Sequence, residues 1–312
     1  MTYQELWQRL TPLYDDNEAK AIVRMVLDIR FGLSLTDIYS GKVTELSAND
    51  RLLLEEMMKR LEKGTPVQYV LGQAEFAGHL FNVREGVLIP RPETAELCEW
   101  IVQEHLTSPI PDLPSAKPHI IDIGTGSGCI AITLSLACPQ AHVTAWDVSP
   151  DALAVARLNA KALGADIAIE ERDILDKTTG YDGPLANIIV SNPPYICRQE
   201  QKDMEENVLA HEPHLALFVP DDDPLLFYRA ITRFAAHQLV SGGWLYFEIN
   251  PLYAHKTKSL LAEEGFSAID IRQDQFSKER MIRGQFTGCR PSPQPSSENT
   301  PSAYVPTEER SH

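Results

Sequence analysis

Apolar residues recur at helical spacing through the first part of the chain. One stretch has the i, i+3, i+4, i+7 spacing of a single apolar stripe, formed by Ala19, Ile22, Val23, Val26 and Ile29. A second stretch follows Ser47, a predicted N-cap with Asp50 three residues on, and contains Leu53, Leu54, Met57, Met58 and Leu61. Gly64 is well placed to end this second helix. The pattern predicts a small helical bundle over residues 1–73.

After this bundle the residue pattern changes from helical to strand-like. Residues 75–83 and 86–90 are short runs of β-forming residues, separated by charged residues and glycine. Together they predict a β-hairpin that links two domains, over residues 74–93.

Strand-like and helix-like segments then alternate. The strand-like runs are 119–123, 142–147, 166–170, 186–191, 244–249 and 268–271. The helical patterns are 94–106, 127–137, 150–163, 224–240 and 252–264. Such alternation is typical of an α/β domain with a largely parallel sheet and helices on both faces. The predicted domain spans residues 94–287.

Three further segments complete the predicted organisation. Residues 280–286 form a last apolar run that predicts an edge strand. Residues 107–118 are rich in proline and predict a surface loop. Residues 288–312 are dominated by Pro, Ser, Glu, Asn and Thr, a composition that predicts a disordered tail.

Charge and cysteine content narrow the class of protein. The formal net charge of −16 disfavours direct binding to nucleic acid and favours a neutral or basic protein partner. We find neither a secretory signal nor a run of about 18 apolar residues, so we expect no membrane segment. The five cysteines are scattered without a CxxC pair or a Cys/His cluster, which predicts free thiols, no metal site and a cytoplasmic location.

A glycine-rich loop follows the first strand of the α/β domain. It consists of Gly124, Thr125, Gly126, Ser127 and Gly128. Glycines here allow a sharp turn and close approach to a ligand, and the following helix offers free N–H groups. A dinucleotide fingerprint would place its third glycine at position 129, which is Cys129. The spacing therefore favours a small nucleoside-like ligand over a pyrophosphate.

Carboxylates after the next strands fit the same ligand. Asp147 ends the second strand at the distance from which an acid reaches a ribose diol. Asp173 follows the third strand and is a candidate for reading an adenine amino group, with Ile174 packing on the ring. Asp122 is expected to orient the glycine loop. Each acid could instead be a helix cap or a solvated loop residue.

The segment Asn192-Pro193-Pro194-Tyr195 follows the apolar strand that ends at Ser191. The two prolines fix the backbone and remove two donors, Asn192 adds a carbonyl acceptor, and Tyr195 adds an aromatic face. This set of groups predicts a site that accepts both N–H hydrogens of a planar –NH₂. Methyl transfer to an amide or to an exocyclic amine requires such a site, and the tetrapeptide alone leaves both targets open.

Several motifs together resemble the bacterial N5-glutamine methyltransferases that modify peptide chain release factors, the HemK-like family. The resemblance spans residues 1–287. It rests on the tetrapeptide, the glycine loop, Glu75-Phe76-x-Gly78, Leu88-Ile89-Pro90-Arg91-Pro92-Glu93-Thr94, Glu212-Pro213 and Arg280-Met281-Ile282-Arg283-Gly284. Glu75-Phe76-x-Gly78 and the Leu88–Thr94 signature are the most discriminating, and the latter, after a helical N-terminal domain, is specific to this family.

The resemblance implies a seven-stranded Rossmann-like methyltransferase domain, a helical domain that binds the release factor, and a β-hairpin linker. It implies S-adenosylmethionine as cofactor, with S-adenosylhomocysteine as product. The substrate would be the glutamine of a Gly-Gly-Gln motif in release factors. The cofactor would be held by Gly124, Thr125, Gly126, Ser127, Gly128, Asp147, Asp173, Ile174 and Asn192. The glutamine amide would be held by Asn192, Pro193, Pro194 and Tyr195.

One departure from the family pattern and two rival functions stay open. The family usually has Glu-Ile-Gly where this chain has Glu248-Ile249-Asn250, followed by Pro251, which puts loop shape and partner contacts in doubt. The same tetrapeptide occurs in adenine and other exocyclic-amine methyltransferases of nucleic acids, which would be expected to carry a basic recognition domain. A non-catalytic cofactor-binding protein is the other rival.

Overall fold

The structure is a computed structural model that describes residues 1–106, 117–176, 180–204 and 206–288. The proline-rich loop predicted over 107–118 and the disordered tail predicted over 288–312 lie almost wholly outside the described residues.

Five α-helices form the N-terminal bundle. They are α1 (Tyr3–Gln8), α2 (Asp16–Phe31), α3 (Leu35–Tyr39), α4 (Ala48–Leu61) and α5 (Val67–Leu71), with a 3₁₀ turn at Lys42–Glu45. Ser47 caps α4 as predicted and accepts a hydrogen bond from the backbone N–H of Asp50. The expected burial of Ile29 is wrong, because this side chain is 44% exposed in the last turn of α2. Leu27, four residues after Val23, continues the buried stripe instead.

A two-stranded hairpin leads out of the bundle. Strands β1 (Gln73–Phe76) and β2 (His79–Asn82) pair antiparallel around Ala77 and Gly78, both of which have positive φ, as a tight hairpin turn requires. The second strand-like run, residues 86–90, is not a strand. Pro90 lacks a backbone donor and Gly86 has a φ of 90°, so this segment runs as an irregular loop.

The remaining elements build the α/β domain. In chain order they are α6 (Pro92–Ile101), β3 (His119–Ile123), α7 (Cys129–Ala137), β4 (His142–Asp147), α8 (Pro150–Leu163), β5 (Ile167–Glu171), β6 (Ala186–Ser191), β7 (Ile196–Cys197), α9 (Glu206–His211), α10 (His214–Leu217), β8 (Phe218–Val219), α11 (Leu226–Gln238), β9 (Leu239–Glu248), α12 (Ala254–Glu263), β10 (Phe266–Gln273) and β11 (Glu279–Phe286). A π-helical turn at Val102–Leu106 follows α6, and 3₁₀ turns occur at Arg198–Asp203 and Pro251–Tyr253.

The predicted fold class is confirmed by the central sheet. Its seven strands have the order β10-β11-β9-β6-β3-β4-β5, and β11 runs antiparallel to both of its neighbours. Alternate residues of β3 and β6 enter two separate cores, Ile120 and Ile188 on one face of the sheet and Ile121 and Ile189 on the other. Helices therefore cover both faces, as the continuous apolar strands require.

The predicted edge position of the last strand is wrong. Strand β11 lies between β9 and β10, with Ile282 in register with Phe247 on one side and Ile271 on the other. Met281 and Ile282 point to opposite faces and both are buried. A strand that is apolar on both faces is stable inside a sheet, which leaves the more polar β10 at the edge.

Besides the packing of Phe76 and Phe81 into the core, a buried side chain of α8, Asn159, joins the hairpin to the α/β domain by hydrogen bonds. Its Oδ1 accepts hydrogen bonds from the backbone N (2.7 Å) and Nδ2 (2.9 Å) of Asn82. Its Nδ2 donates to the carbonyl oxygens of Asn82 (3.0 Å) and Ser127 (2.9 Å). The linker hairpin and the glycine loop are thereby held to the same helix.

Candidate active site

A cavity of about 390 Å³ opens at the carboxyl edge of the parallel strands, where open α/β sheets bind ligands. Four groups of residues wall it: the linker segment 86–91, the glycine loop, the segment 191–194 after β6, and residues 172–175 after β5. The loop predicted as a second hairpin strand is thus part of the wall.

The glycine loop is held against the sheet by backbone hydrogen bonds. Gly124 and Thr125 both donate from their backbone N to the carbonyl of Trp146, at 2.8 Å each. Four of the residues predicted to bind the cofactor, Gly124, Thr125, Gly126 and Ser127, line the cavity.

Gly128 does not line the cavity. Its φ is 83°, and a Cβ there would lie 2.9 Å from Cδ1 of Ile132 and 3.3 Å from Cα of Ala156. Gly128 therefore lets α7 and α8 approach closely.

Asp122 lies beneath the loop and is fully buried. Its Oδ2 accepts hydrogen bonds from Oγ1 of Thr125 (2.6 Å) and the backbone N of Ala131 (3.2 Å), so it orients the loop as expected. Burial raises the pKa of the Asp122 carboxyl to about 7. Its Oδ1 and the Oγ of Ser127 are buried without a hydrogen-bond partner. The loop thus offers one unsatisfied polar atom, Oγ of Ser127, and the strand beneath it offers a second.

Asp147 faces the cavity from the end of β4. Its Oδ2 accepts a hydrogen bond from the backbone N of Gly126 (2.8 Å) and its Oδ1 from that of Ser149 (2.9 Å). Burial raises the pKa of this carboxyl, and the backbone donors oppose the rise. Each oxygen keeps a lone pair, so the carboxylate can still accept hydrogen bonds from two hydroxyls of a ligand.

Asp173 and Ile174 form the neighbouring wall of the cavity. The backbone N of Leu175 donates to Oδ1 of Asp173 at 2.8 Å, which fixes the side chain in a tight turn. The structure therefore brings the apolar Ile174 and this anchored acid to the same cavity as Asp147.

Three residues of the tetrapeptide line the cavity and one does not. Asn192, Pro193 and Pro194 form part of the wall. The hydroxyl of Tyr195 donates to Oε1 of Glu248 at 3.0 Å, and its ring packs against the core beside β9. Tyr195 therefore anchors the segment from behind, where the sequence predicts an aromatic face for the target.

Hydrogen bonds with three side chains of the motif segments, Thr94, Glu248 and Asn250, hold the tetrapeptide in place. The Nδ2 of Asn192 lies 3.1 Å from Oγ1 of Thr94, and this hydroxyl donates to Oε2 of Glu248 at 2.6 Å. Asn250, the departure from the family pattern, donates from Nδ2 to the carbonyl of Tyr195 at 3.2 Å. The sequence carries one signal for a role of Glu248 in the site: it is a charged residue that ends an apolar strand at the edge of the sheet where ligands bind.

A buried ion pair joins two walls of the cavity. Arg91, in the linker signature, binds Glu212, whose carboxylate is 1% exposed. Pro213, next along the chain, lines the cavity. The pair therefore ties the α9–α10 segment to the linker across the cavity.

The cysteines behave as the sequence predicts where they are described. Cys98, Cys129, Cys138 and Cys197 are buried free thiols, and Cys289 lies outside the described residues. Within the described part of the chain, no group of three or more His, Cys, Asp or Glu side chains could hold a metal ion. No helix in those same ranges is long and apolar enough to cross a membrane.

Two family models match this chain, one in the helical bundle and one in the α/β domain. Residues 104–215 match the Methyltransferase small domain, and residues 3–72 match the PrmC N-terminal domain. The seven-stranded sheet and the site at its carboxyl edge, taken with the first match, define a methyltransferase.

Two curated relatives identify the family. The release factor glutamine methyltransferase of Bacteroides thetaiotaomicron is 44% identical over 275 residues, covering 88% of this chain and 95% of the relative. That of Flavobacterium psychrophilum is 42% identical over 282 residues, covering 89% and 96%. The chain belongs to the release factor glutamine methyltransferase family, as its motifs indicate.

Structural comparison supports the fold alone. The hMettl16 catalytic domain, solved in complex with a MAT2A 3′UTR hairpin, aligns with a TM-score of 0.50 at 15% identity, over 68% of this chain and 77% of that one. A protein that binds RNA thus shares this fold, so the fold does not distinguish a protein substrate from a nucleic acid.

Proposed function

We propose that the chain transfers a methyl group from S-adenosylmethionine to the side-chain amide nitrogen, N5, of the glutamine in the Gly-Gly-Gln motif of peptide chain release factors. One observation carries the proposal beyond family membership. The Asn192 amide stands in the wall of a cavity that also contains the glycine loop and Asp147. A ligand and a planar nitrogen can therefore meet in one site.

The residues of the cavity fit the cofactor. Its volume of about 390 Å³ lies within the range of ligand pockets. Asp147 would accept the two ribose hydroxyls, and Asp173 with Ile174 would hold the adenine. Ser127, which lines the cavity, has an Oγ without a hydrogen-bond partner and marks the loop as the place for the polar end of the molecule.

Bound there, S-adenosylmethionine supplies an electrophilic methyl group and leaves as S-adenosylhomocysteine. The protein has to orient the target nitrogen and polarise it. An amide nitrogen is a poor nucleophile because its lone pair is delocalised into the carbonyl. Acceptors on Asn192 and on the proline-fixed backbone after it would bind both N–H hydrogens and stabilise the positive charge that grows on nitrogen during attack. The nitrogen becomes acidic only after methylation, so no strong base is required.

The charge of the chain supports a protein substrate. A net charge of −16 opposes a phosphate backbone and favours a neutral or basic partner. We assign contact with the release factor to the helical domain, residues 1–73, and catalysis to residues 94–287, with residues 74–93 as the linker and residues 288–312 as a tail outside both.

Methyl transfer by an Asn192→Ala variant tests the catalytic role. We expect transfer from labelled cofactor to a release factor to fall about 10²- to 10³-fold, since a donor or acceptor aimed at the transition state is lost. Calorimetry should show a much smaller loss of S-adenosylhomocysteine binding, because the glycine loop and Asp147 are unchanged. Unchanged transfer would contradict the catalytic role of Asn192. No transfer by the wild-type chain would favour the non-catalytic rival, and transfer to DNA or rRNA in place of release factor would favour the nucleic-acid rival.

A further inference from the structure

Glu248 is a buried carboxylate that hydrogen-bonds to the tetrapeptide from the side away from the cavity. It ends β9, is 2% exposed, and accepts one hydrogen bond on each carboxylate oxygen, from Thr94 and from Tyr195. Burial raises the pKa of this carboxyl, while the two hydroxyl donors and the nearby Arg280 oppose the rise. One carboxylate thereby joins the first turn of α6 to the end of the tetrapeptide.

The single hydrogen of the Thr94 hydroxyl fixes the direction of its hydrogen bond with Asn192. A threonine hydroxyl has a single hydrogen, and Thr94 donates it to Glu248 at 2.6 Å. Its oxygen can then only accept in the 3.1 Å contact with Asn192, so the Nδ2 end of that amide must face Thr94. The two ends of an amide have almost the same shape and opposite polarity, and here the neighbours decide which end faces the cavity.

The consequence for the site is chemical. With Nδ2 bound to Thr94, the Oδ1 branch of the Asn192 amide is left to face a ligand. An acceptor there binds an –NH₂ group and repels a carboxylate, which has no hydrogen to donate.

We propose that Glu248 and Thr94 are positioning residues that fix the polarity of the Asn192 amide, so that the site selects a side chain ending in –NH₂ over one ending in a carboxylate. This inference rests on the proposed function. Discrimination between glutamine and glutamate would then depend on Thr94 and Glu248, which hydrogen-bond to the tetrapeptide, as well as on the tetrapeptide itself.

Thr94→Val tests the inference, because it keeps the shape of the side chain and removes the hydroxyl. Asn192 can then turn its Nδ2 towards the cavity. We expect kcat for methylation of a release factor to fall about 10²-fold. A release factor with glutamate in place of the motif glutamine serves as competitor, and the preference for glutamine over glutamate should narrow at least about tenfold. The dissociation constant of S-adenosylhomocysteine should change less than about threefold, because the glycine loop and Asp147, which would hold the cofactor, are unchanged.

Three further variants complete the design. Thr94→Ser restores the hydroxyl and should recover kcat and selectivity to within about fivefold. Thr94→Ala repeats the loss of the hydroxyl with a smaller side chain, and decides the question if the valine variant fails to fold. Thr257→Val makes the same change at a buried threonine in α12 whose hydroxyl donates to the carbonyl of Tyr253, and should leave both quantities unchanged.

The inference is overturned if both hydroxyl-free variants keep wild-type selectivity, whatever happens to kcat, since a purely structural role predicts that result. It is also overturned if serine fails to rescue. The absence of any transfer by the wild-type chain would overturn the proposed function itself, and the inference with it, so the two failures are distinguishable.

Discussion

Replacing Asn159 with alanine should uncouple the linker hairpin from the glycine loop. The substitution removes four hydrogen bonds and takes the Asn159 partner from three backbone groups, the N–H and the carbonyl of Asn82 and the carbonyl of Ser127. Each such group costs about 1–3 kcal/mol, so we expect the free energy of unfolding to fall by at least about 3 kcal/mol. S-adenosylhomocysteine affinity should fall as well, because the loop loses its tether to α8.

Urea titration followed by circular dichroism measures the loss of stability, and calorimetry measures binding. Leu158→Ala, at the preceding and 52% exposed position of the same helix, is the matched control and should change stability by less than about 0.5 kcal/mol. Asn159→Asp keeps the acceptor for Asn82 but loses the donor to the carbonyls of Asn82 and Ser127 and buries a carboxylate against them, so it should destabilise the chain at least as much as Asn159→Ala. A loss below about 1 kcal/mol for Asn159→Ala, with unchanged binding, would refute the reasoning.

Three other outcomes follow from the site. Gly128→Ala should cost about 1–3 kcal/mol in a urea titration, because its Cβ would meet Ile132 and Ala156 at a φ of 83°; a neutral effect would contradict the packing role. Asp147→Asn turns one acceptor into a donor and should weaken S-adenosylhomocysteine binding about 10- to 100-fold by calorimetry; full affinity would contradict ribose binding. Burial raises the pKa of Asp122 to about 7, well above its value in the unfolded chain, so its contribution to stability is lost as the pH rises from about 4 to about 7. Asp122→Asn should remove that slope in urea titrations across this range, and an unaltered slope would refute the shift.

The sequence predicts the parts of this molecule that local pattern controls. Apolar strands alternate with amphipathic helices, so the α/β sheet and its helices are predicted close to their observed bounds. Asn192 and Asp147 directly follow such strands, and the carboxyl ends of parallel strands meet at one edge. Their place in one cavity is therefore also predictable.

What the sequence misses depends on contacts between distant segments. Glu248 lies 154 residues from Thr94, and nothing local indicates that they share a hydrogen bond. Tyr195 was expected to face the target, but only the position of Glu248 shows that its hydroxyl is drawn away from the cavity. The inner position of β11 likewise depends on which strands it pairs with, and its apolar pattern on both faces was the one clue.

The central claim is most directly tested by locating the methyl group. A release factor is incubated with the purified chain and labelled S-adenosylmethionine, digested, and its peptides are sequenced by mass spectrometry, with DNA and rRNA assayed in parallel. The account predicts one added methyl group on the side-chain amide of the Gly-Gly-Gln glutamine and no label in nucleic acid. An unmodified glutamine, or label recovered in DNA or rRNA, would contradict it.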